Sequence, residues 1–320
     1  MSGPARTVFL GSGSFAVPIV SSLAAAGGGV GVELMAVVSA PPRAQGRRAR
    51  VLPSPVGEWA AKSGVRVLAP PSLRAADAVA ELGRLAPALL VLADYGQIVP
   101  PELLELPRHG ALNLHPSLLP RHRGAAPIAA TILAGDSETG VSLMLMDAGL
   151  DTGPLIAQRR LPLGGDETAP ELEQRLAIVA ADLLIETLPA WLAGRIVPTA
   201  QAGEGVTLTR QLRRADGRLD GRRRVAQLER QIRAYQPWPG SFIDTGLGRL
   251  IVWRGRPLAA DTPAATPGSL LTTADGGLAL VAADGLLELL EVQLAGGRRM
   301  TSQELLRGRP AIASGAAPDS

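Results

Sequence analysis

The feature of this sequence that most constrains its fold is the order in which strand and helix patterns follow one another. Short apolar runs predict strands at residues 7–10, 32–38, 65–68 and 88–92, and segments with helical spacing of apolar residues lie between them. Strands that alternate with helices form parallel sheets, because each crossover returns the chain to the same edge of the sheet. We therefore predict an α/β fold with a doubly wound (Rossmann-like), mostly parallel sheet.

A segment broken by proline and glycine divides the chain. Residues 194–205 contain Pro198 and Gly203 and follow a long predicted helix. Beyond them, short strands separated by glycine and aspartate turns favour a small OB-like β-barrel. A length of 320 residues suits two domains. We predict a first domain at 1–193, a linker at 194–205, a C-terminal barrel domain at 206–310 and a disordered tail at 311–320.

The amino-acid composition excludes several kinds of functional site. The chain has no cysteine, which excludes disulfides, thiolate metal sites and a cysteine nucleophile, and its three histidines leave little for a metal. We predict no metal site. No apolar run approaches the ~20 residues that cross a bilayer, and the first residues show no signal-peptide pattern. We therefore expect a cytoplasmic protein without a membrane partner.

Two stretches concentrate polar groups. Asn113 and His115 lie two apart in an apolar run, so on a strand they point to one face. About thirty residues later, Asp147 and Asp151 lie among glycines that permit unusual backbone angles. Asp147 begins the glycine loop, and we expect it to hold a turn. Asp151 precedes Thr152-Gly153, a bend that can aim its carboxylate inward.

An asparagine, a histidine and an aspartate that converge suit acyl transfer. Asn113 can donate a hydrogen bond to a developing oxyanion, His115 can move a proton or add a cationic donor, and Asp151 can orient the imidazole. Ser117 lies between a proline and a leucine, outside any nucleophile-elbow context. We therefore expect direct attack by a substrate amine.

The run NLHPSLLPRHRGAAPI together with MDAGLDTG resembles the methionyl-tRNA formyltransferases, within the wider family that uses 10-formyltetrahydrofolate. The resemblance covers nearly the whole chain and implies that Asn113, His115 and Asp151 are catalytic. It places a pterin pocket along residues 93–98, where Asp94 replaces the usual alanine. It also implies folate contacts from Ser117, Leu118, Leu119 and Pro120.

Two arginine-rich segments indicate a phosphate-bearing partner, because arginines that neutralise phosphates release counterions. The first loop carries Arg43, Arg47, Arg48 and Arg50 without an acid. The segment 206–233 holds nine arginines against three acids and includes Arg210, Arg213 and Arg214. Solvated arginine surfaces are the alternative for both segments. The family resemblance implies that the first loop enters the acceptor end of a tRNA.

The resulting hypothesis is formyl transfer from 10-formyltetrahydrofolate to the methionine amino group of initiator methionyl-tRNA by a monomer. A formyltransferase acting on glycinamide ribonucleotide or an amino sugar is the alternative. A nicotinamide oxidoreductase is disfavoured, since the glycine turn Gly11–Ala16 lacks an acid at the end of the next strand. A non-catalytic RNA-binding module would leave Asn113, His115 and Asp151 unexplained.

Overall fold

The computed structural model describes residues 3–45, 50–259 and 265–314. The chain divides into two compact units. The first unit comprises the residues up to Pro127, Glu138–Pro162 and Glu173–Arg210; the second comprises Ile128–Ser137, Leu163–Leu172 and the residues from Gln211 onward. Among the described residues, no helix combines the length and hydropathy that a membrane crossing needs.

The strands up to residue 210 are β1 (Ala5–Gly11), β2 (Val32–Val38), β3 (Arg43–Gln45), β4 (Arg50–Leu52), β5 (Val67–Leu68), β6 (Leu89–Ala93), β7 (Ala111–His115), β8 (Arg123–Gly124), β9 (Glu138–Leu145), β10 (Leu155–Pro162) and β11 (Leu208–Thr209). The helices are α1 (Ala16–Ala26), a 3₁₀ helix (Gly27–Val30), α2 (Pro55–Ser63), α3 (Ala76–Arg84), α4 (Pro101–Leu104), α5 (Pro127–Ala134) and α6 (Ala169–Leu192).

Seven of these strands form one sheet, in the order β10-β9-β7-β6-β1-β2-β5. The five strands from β7 to β5 in this order pair in parallel, whereas β9 runs antiparallel to both β7 and β10. The predicted doubly wound, mostly parallel sheet is therefore confirmed. All five residues of β6 are buried, as expected for a strand covered on both faces.

The segment predicted as a linker, residues 194–205, makes ordered contacts in the first unit. Thr199 and Leu155 exchange two backbone hydrogen bonds of 2.8 and 2.7 Å. Beyond the segment, β11 pairs in parallel with β8. Proline and glycine correctly mark the end of helical structure here, but they do not show that the extended chain packs beside β10. Strand β10 itself is absent from the sequence-based prediction.

The second unit is built on an antiparallel sheet. Its elements are a 3₁₀ helix (Arg214–Gly217), α7 (Val225–Ala234), β12 (Ser241–Thr245), β13 (Gly248–Leu258), β14 (Leu270–Thr272), β15 (Leu278–Ala282), β16 (Gly285–Leu294), β17 (Met300–Thr301), α8 (Ser302–Gly308) and a 3₁₀ helix (Pro310–Ser314). The strands pair in the order β12-β13-β16-β15-β14, with β17 on β16. The sheet curls into a half-barrel, in agreement with the predicted small barrel. Leu228 and Ile232 of α7 belong to its buried core.

The start of the predicted disordered tail is folded. Residues 311–314 form most of the last 3₁₀ helix, and the Ile312 side chain is 0% exposed within the core of the second unit. The sequence gives no periodicity over so short a segment, so a single buried isoleucine is not visible as a pattern. The rest of the predicted tail, residues 315–320, lies outside the described residues.

Replacement of Ile312 by alanine is expected to lower the free energy of unfolding by about 2 to 5 kcal/mol, because it leaves a cavity in the core. The matched control is Ile178→Ala, since Ile178 is 59% exposed and such surface changes stay within about 0.5 kcal/mol. Urea unfolding of both variants measures the difference. Equal stability of the two variants would contradict the packed position of Ile312.

Candidate active site

The site begins at the carboxyl end of β7, next to β6 and β9 in the sheet. Asn113 is opposite Leu92 on one side and Met144 on the other, and His115 is opposite Ser142. Asn113 is half-buried and His115 is 5% exposed. The carboxyl ends of parallel strands are where open α/β sheets commonly bind ligands. The two-residue spacing therefore delivers an amide and an imidazole to that edge together.

The structure brings Asn113, His115 and Asp151 together. Nδ1 of His115 lies 3.6 Å from Oδ2 of Asp151, and Nδ2 of Asn113 donates to Oδ1 of Asp151 at 3.5 Å. On the other side of the ring, Nε2 of His115 lies 2.9 Å from the carbonyl oxygen of His122. Because a carbonyl oxygen only accepts, this contact favours the tautomer with the proton on Nε2 and leaves Nδ1 facing the carboxylate.

Asp151 adopts a left-handed backbone conformation, with φ of +52°. Its carboxylate accepts a hydrogen bond of 2.8 Å from the backbone N–H of Gly124. Its carbonyl oxygen accepts one of 2.8 Å from the side chain of Gln201, which also donates to the carbonyl of Gly153. The carboxylate therefore points toward His115 because several distant segments hold the loop that carries it.

Asp147 holds the turn before Asp151, as the sequence predicts. Its Oδ1 accepts hydrogen bonds from the N–H of Gly149 at 3.0 Å and from the hydroxyl of Thr152 at 2.8 Å. A Cβ at Gly149 would overlap the Thr152 hydroxyl, and one at Gly153 would overlap the carbonyl oxygen of Leu145. The Leu145 backbone therefore leaves no room for a side chain at Gly153, and a side chain at Gly149 would displace the Thr152 hydroxyl that bonds Asp147.

Burial dominates the electrostatics of His115. Removal from water lowers the pKa of the imidazole, while the nearby Asp151 carboxylate and the bond to the His122 carbonyl favour the protonated form. The net direction is a pKa below the ordinary 6.5. The imidazole is therefore neutral near pH 7. When it takes up a proton, the Asp151 carboxylate and the His122 carbonyl stabilise the positive charge.

The loop Ser117–Pro120 leaves β7 beside this site. The Ser117 side chain is fully buried, and its hydroxyl donates to the carbonyl of Arg121 at 2.7 Å. Its carbonyl accepts a 2.7 Å bond from the Ser142 hydroxyl, which in turn accepts from the N–H of Leu119 at 3.0 Å. The Ser117 hydroxyl is therefore engaged in shaping the loop. Leu118 and Pro120 are half-buried, whereas Leu119 is 4% exposed.

The glycine turn after β1 packs against Asp94. A Cβ at Gly13 would overlap the Asp94 side chain, and the N–H groups of Ser12 and Gly13 donate to the Asp94 carbonyl at 2.9 and 3.3 Å. Although Asp94 is exposed, the surrounding protein partly desolvates its carboxylate, and together with the charge of Glu173 this raises its pKa to about 6. An acidic group in this place would repel a bound diphosphate.

Within the first basic segment, the described residues 43–45 and 50–52 form the two strands of a short hairpin, the β3–β4 hairpin. Strands β3 and β4 pair antiparallel, with Arg43 opposite Leu52 and Gln45 opposite Arg50. Arg43 and Arg50 are exposed, and Val51 is 68% exposed beside them. Arg47 and Arg48, which the sequence also predicts to bind tRNA, lie outside the described residues.

The second basic segment is partly neutralised by its own neighbours. Ion pairs link Arg218 to Asp244, Arg222 to Asp220, Arg224 to Asp284 and Arg233 to Glu229. Arg210 in the first unit and Arg213 and Arg214 in the second unit are exposed. The excess positive charge available to a partner is therefore smaller than the sequence count suggests.

Three residues that hold the candidate site in place were not predicted from the sequence. Gln201 contacts the Asp151 loop, Gly124 donates to the Asp151 carboxylate, and the Thr207 hydroxyl accepts from the N–H of His122 at 2.7 Å. Only tertiary contact identifies Gln201 and Thr207. In the part of the chain that the structure describes, no three acidic or histidine side chains are grouped to hold a metal ion.

Two family models match this chain. The formyl transferase model covers residues 5–188, and the formyl transferase C-terminal domain model covers residues 211–310. The chain therefore belongs to the formyltransferase family. The relatives it is similar to include the methionyl-tRNA formyltransferase of Myxococcus xanthus, 42% identical over 99% of both chains, and that of Halorhodospira halophila, 42% identical over 95% of this chain and 96% of the other. The predicted family and enzyme class are confirmed.

Solved structures share the fold at low identity. HypX from Aquifex aeolicus in complex with tetrahydrofolic acid matches with a TM-score of 0.63 at 16% identity over 95% of this chain. This chain spans about half of HypX, covering 47% of it. WlaRD, a sugar 3N-formyl transferase, matches with a TM-score of 0.63 at 14% identity, over 90% of this chain and 98% of WlaRD.

His115 is expected to titrate below pH 6.5, and Asp151→Asn is expected to lower its pKa further. The carboxylate charge favours the imidazolium, so its removal makes protonation harder. NMR of the ring resonances measures both values, since the chain has only three histidines. His109 is the internal control, and its midpoint is expected to stay unchanged. A His115 midpoint that rises in the Asp151→Asn protein would contradict the close pair.

Proposed function

We propose that this chain transfers the formyl group of 10-formyltetrahydrofolate to the amino group of methionine on initiator methionyl-tRNA. The observation that carries the proposal is the convergence of Asn113, His115 and Asp151 at the carboxyl edge of the sheet. Relatives 42% identical over nearly the full length are methionyl-tRNA formyltransferases, which supports this acceptor. The substrates are those of translation, and we infer a cytoplasmic monomer.

The chemistry follows from the groups at the site. The methionine amine attacks the formyl carbon, and Nδ2 of Asn113 donates a hydrogen bond to the oxyanion that forms on the formyl oxygen. Neutral His115 accepts the proton that the amine releases, and Asp151 stabilises the resulting imidazolium. The carbon–nitrogen bond to folate N10 then breaks, and the proton passes to N10. Transfer therefore needs no covalent enzyme intermediate.

The donor is proposed to lie beside the loop Ser117–Pro120. Because the Ser117 hydroxyl is already bonded within the loop, we assign the folate contacts there to the backbone and to Leu118, Leu119 and Pro120. We place the pterin along residues 93–98, a segment in which the Tyr95 hydroxyl is enclosed by the apolar core. This hydroxyl is the one buried side-chain polar atom in the described residues without a hydrogen-bond partner, and burial raises its pKa to about 12.

The decisive assay offers labelled formyl-folate to methionyl-tRNA, glycinamide ribonucleotide and an amino sugar in parallel. Transfer to methionyl-tRNA alone is the expected result. Transfer that favours either small acceptor would replace the proposal with that alternative. The rates also give the reference against which variants are compared.

Asn113→Ala is expected to lower kcat by ~100- to 1000-fold, as for loss of one oxyanion donor. The control is Gln227→Ala, which removes an exposed amide of α7 in the second unit and is expected to leave kcat unchanged. Steady-state formylation of methionyl-tRNA measures both variants. Nearly full turnover by the Asn113→Ala protein would remove Asn113 from the mechanism.

The tRNA is proposed to contact Arg43, Arg47, Arg48 and Arg50 of the first basic segment and Arg210, Arg213 and Arg214 of the second. Exposure of Arg43 and Arg50 on the β3–β4 hairpin supports the first set. Pairing of the two strands fixes the backbone positions of Arg43 and Arg50, whereas an unpaired solvated loop would leave them variable. Phosphate contacts of this kind provide affinity and orientation without reading sequence.

Arg43→Ala and Arg50→Ala are each expected to weaken tRNA binding and to flatten its salt dependence. Each lost phosphate contact lowers the slope of log affinity against log salt concentration by about 0.7 to 0.9. Binding titrations over a series of salt concentrations measure the slope. Arg74→Ala, at another exposed arginine of the first unit, is the control. An unchanged slope in the Arg43 and Arg50 variants would remove the hairpin from the tRNA site.

A further inference from the structure

Gln201 connects two loops that both reach the candidate active site. Its Nε2 donates hydrogen bonds of 2.8 Å to the carbonyl oxygens of Asp151 and Gly153. Its Oε1 accepts bonds of 3.1 and 2.7 Å from Nε and Nη2 of Arg123. Both amide hydrogens are thus used, and the amide oxygen has two donors. One side chain joins the Asp151 loop to the segment that follows His122.

The chemistry of the partners fixes the orientation of this amide. Arg123 is a donor without acceptor atoms, so the group facing it must be the amide oxygen. The carbonyls of Asp151 and Gly153 only accept, so the group facing them must be the NH₂ group. A carboxylate in this position can keep the contact with Arg123 but opposes both carbonyls. Glutamine is therefore matched to its surroundings in a way that glutamate is not.

The two carbonyls that Gln201 holds lie on either side of Thr152. Asp151 has a left-handed backbone, which a residue with a side chain rarely adopts without support. The bond to the Asp151 carbonyl restrains the peptide plane that follows the Asp151 Cα, and the bond to the Gly153 carbonyl holds the chain two residues further on. Together they restrain the backbone from which the Asp151 side chain projects. The carboxylate then meets the Gly124 N–H at 2.8 Å and approaches His115 to 3.6 Å.

Gln201 itself stands on a segment that is anchored at both ends within the first unit. Thr199 exchanges backbone hydrogen bonds with Leu155 on one side. On the other side, the N–H of Arg123 donates to the carbonyl of Thr207 at 2.9 Å, and β11 pairs with β8. The backbone that carries Gln201 is therefore fixed on both sides, so the hydrogen bonds of the Gln201 amide restrain the Asp151 loop.

We propose that Gln201 is a positioning residue for formyl transfer, which acts by holding the Asp151 carboxylate at His115 and Asn113. The proposal rests on the function proposed above. Gln201 takes no part in bond making, and its substitution changes the geometry of the group that stabilises the imidazolium. Misplacement of a reacting group by about 1 Å can lower the rate ~100-fold.

Gln201→Ala and Gln201→Glu are both expected to lower kcat by ~10- to 100-fold, with KM for either substrate changed by less than about threefold. The glutamate variant keeps the Arg123 contact, so it tests the two donor bonds even if the alanine variant folds poorly. Gln227→Glu makes the same chemical change at an exposed amide and is expected to keep wild-type kcat. Wild-type kcat in both Gln201 variants would overturn the proposal.

Two further measurements separate positioning from a general structural role. The pKa of His115, followed by NMR, is expected to fall in Gln201→Ala, because the carboxylate that favours protonation is no longer held in place. In an Asp151→Asn background, Gln201→Ala is expected to lower kcat by less than about threefold, since its effect passes through Asp151. An unchanged His115 pKa, or equal losses in both backgrounds, would count against positioning through Asp151.

Failure of this proposal differs from failure of the proposed function. If the wild-type protein formylates no methionyl-tRNA, the function is wrong, and the kinetic measurements are made with whichever acceptor the parallel assay identifies. The His115 titration needs no substrate and tests the geometry in either case. If wild-type transfer is normal and the Gln201 variants match it, only the positioning role is lost.

Discussion

The left-handed backbone of Asp151 is the constraint on which the candidate active site depends. This conformation costs a residue with a side chain about 1 to 2 kcal/mol, so it persists only where the surroundings hold it. Gly124 binds the carboxylate, Gln201 binds the carbonyl, and the turn made by Asp147 closes the loop. Strand β7 alone, which carries Asn113 and His115, therefore does not form the candidate site. The segments that carry Gly124, Asp147 and Gln201 must also pack against it to hold Asp151 in place.

That arrangement also explains the balance of charge at His115. Deep burial disfavours the imidazolium, while Asp151 and the His122 carbonyl favour it. A fully paired, permanently charged ring would have little tendency to take up or release a proton. A ring that burial keeps neutral, next to groups that stabilise its charge, can accept a proton from an attacking amine and pass it on. In the proposed mechanism, the distance between Asp151 and His115 sets how strongly the carboxylate stabilises the imidazolium.

The sequence predicts local features of this protein well and long-range features poorly. Alternating apolar runs identify the parallel strands, a two-residue spacing puts Asn113 beside His115, and glycines mark the loop that aims Asp151. Gln201 lies 50 residues from Asp151 and 78 from Arg123, in a stretch whose proline and glycine predict only a linker. Its role depends on which carbonyls and guanidinium the fold places around it, and no local pattern records that.

The fold and the three polar groups together do not decide which amine is formylated. A sugar 3N-formyl transferase shares this architecture over 98% of its own length at 14% identity, so two units of this kind do not by themselves imply a tRNA acceptor. Much of the positive charge in 206–233 is neutralised by ion pairs within the second unit. Exposed arginines such as Arg43 and Arg50, on a hairpin with no acid of its own, are therefore better suited to recognise a polyanion. Surface charge outside the candidate active site is therefore the feature of this chain that bears on its choice of acceptor.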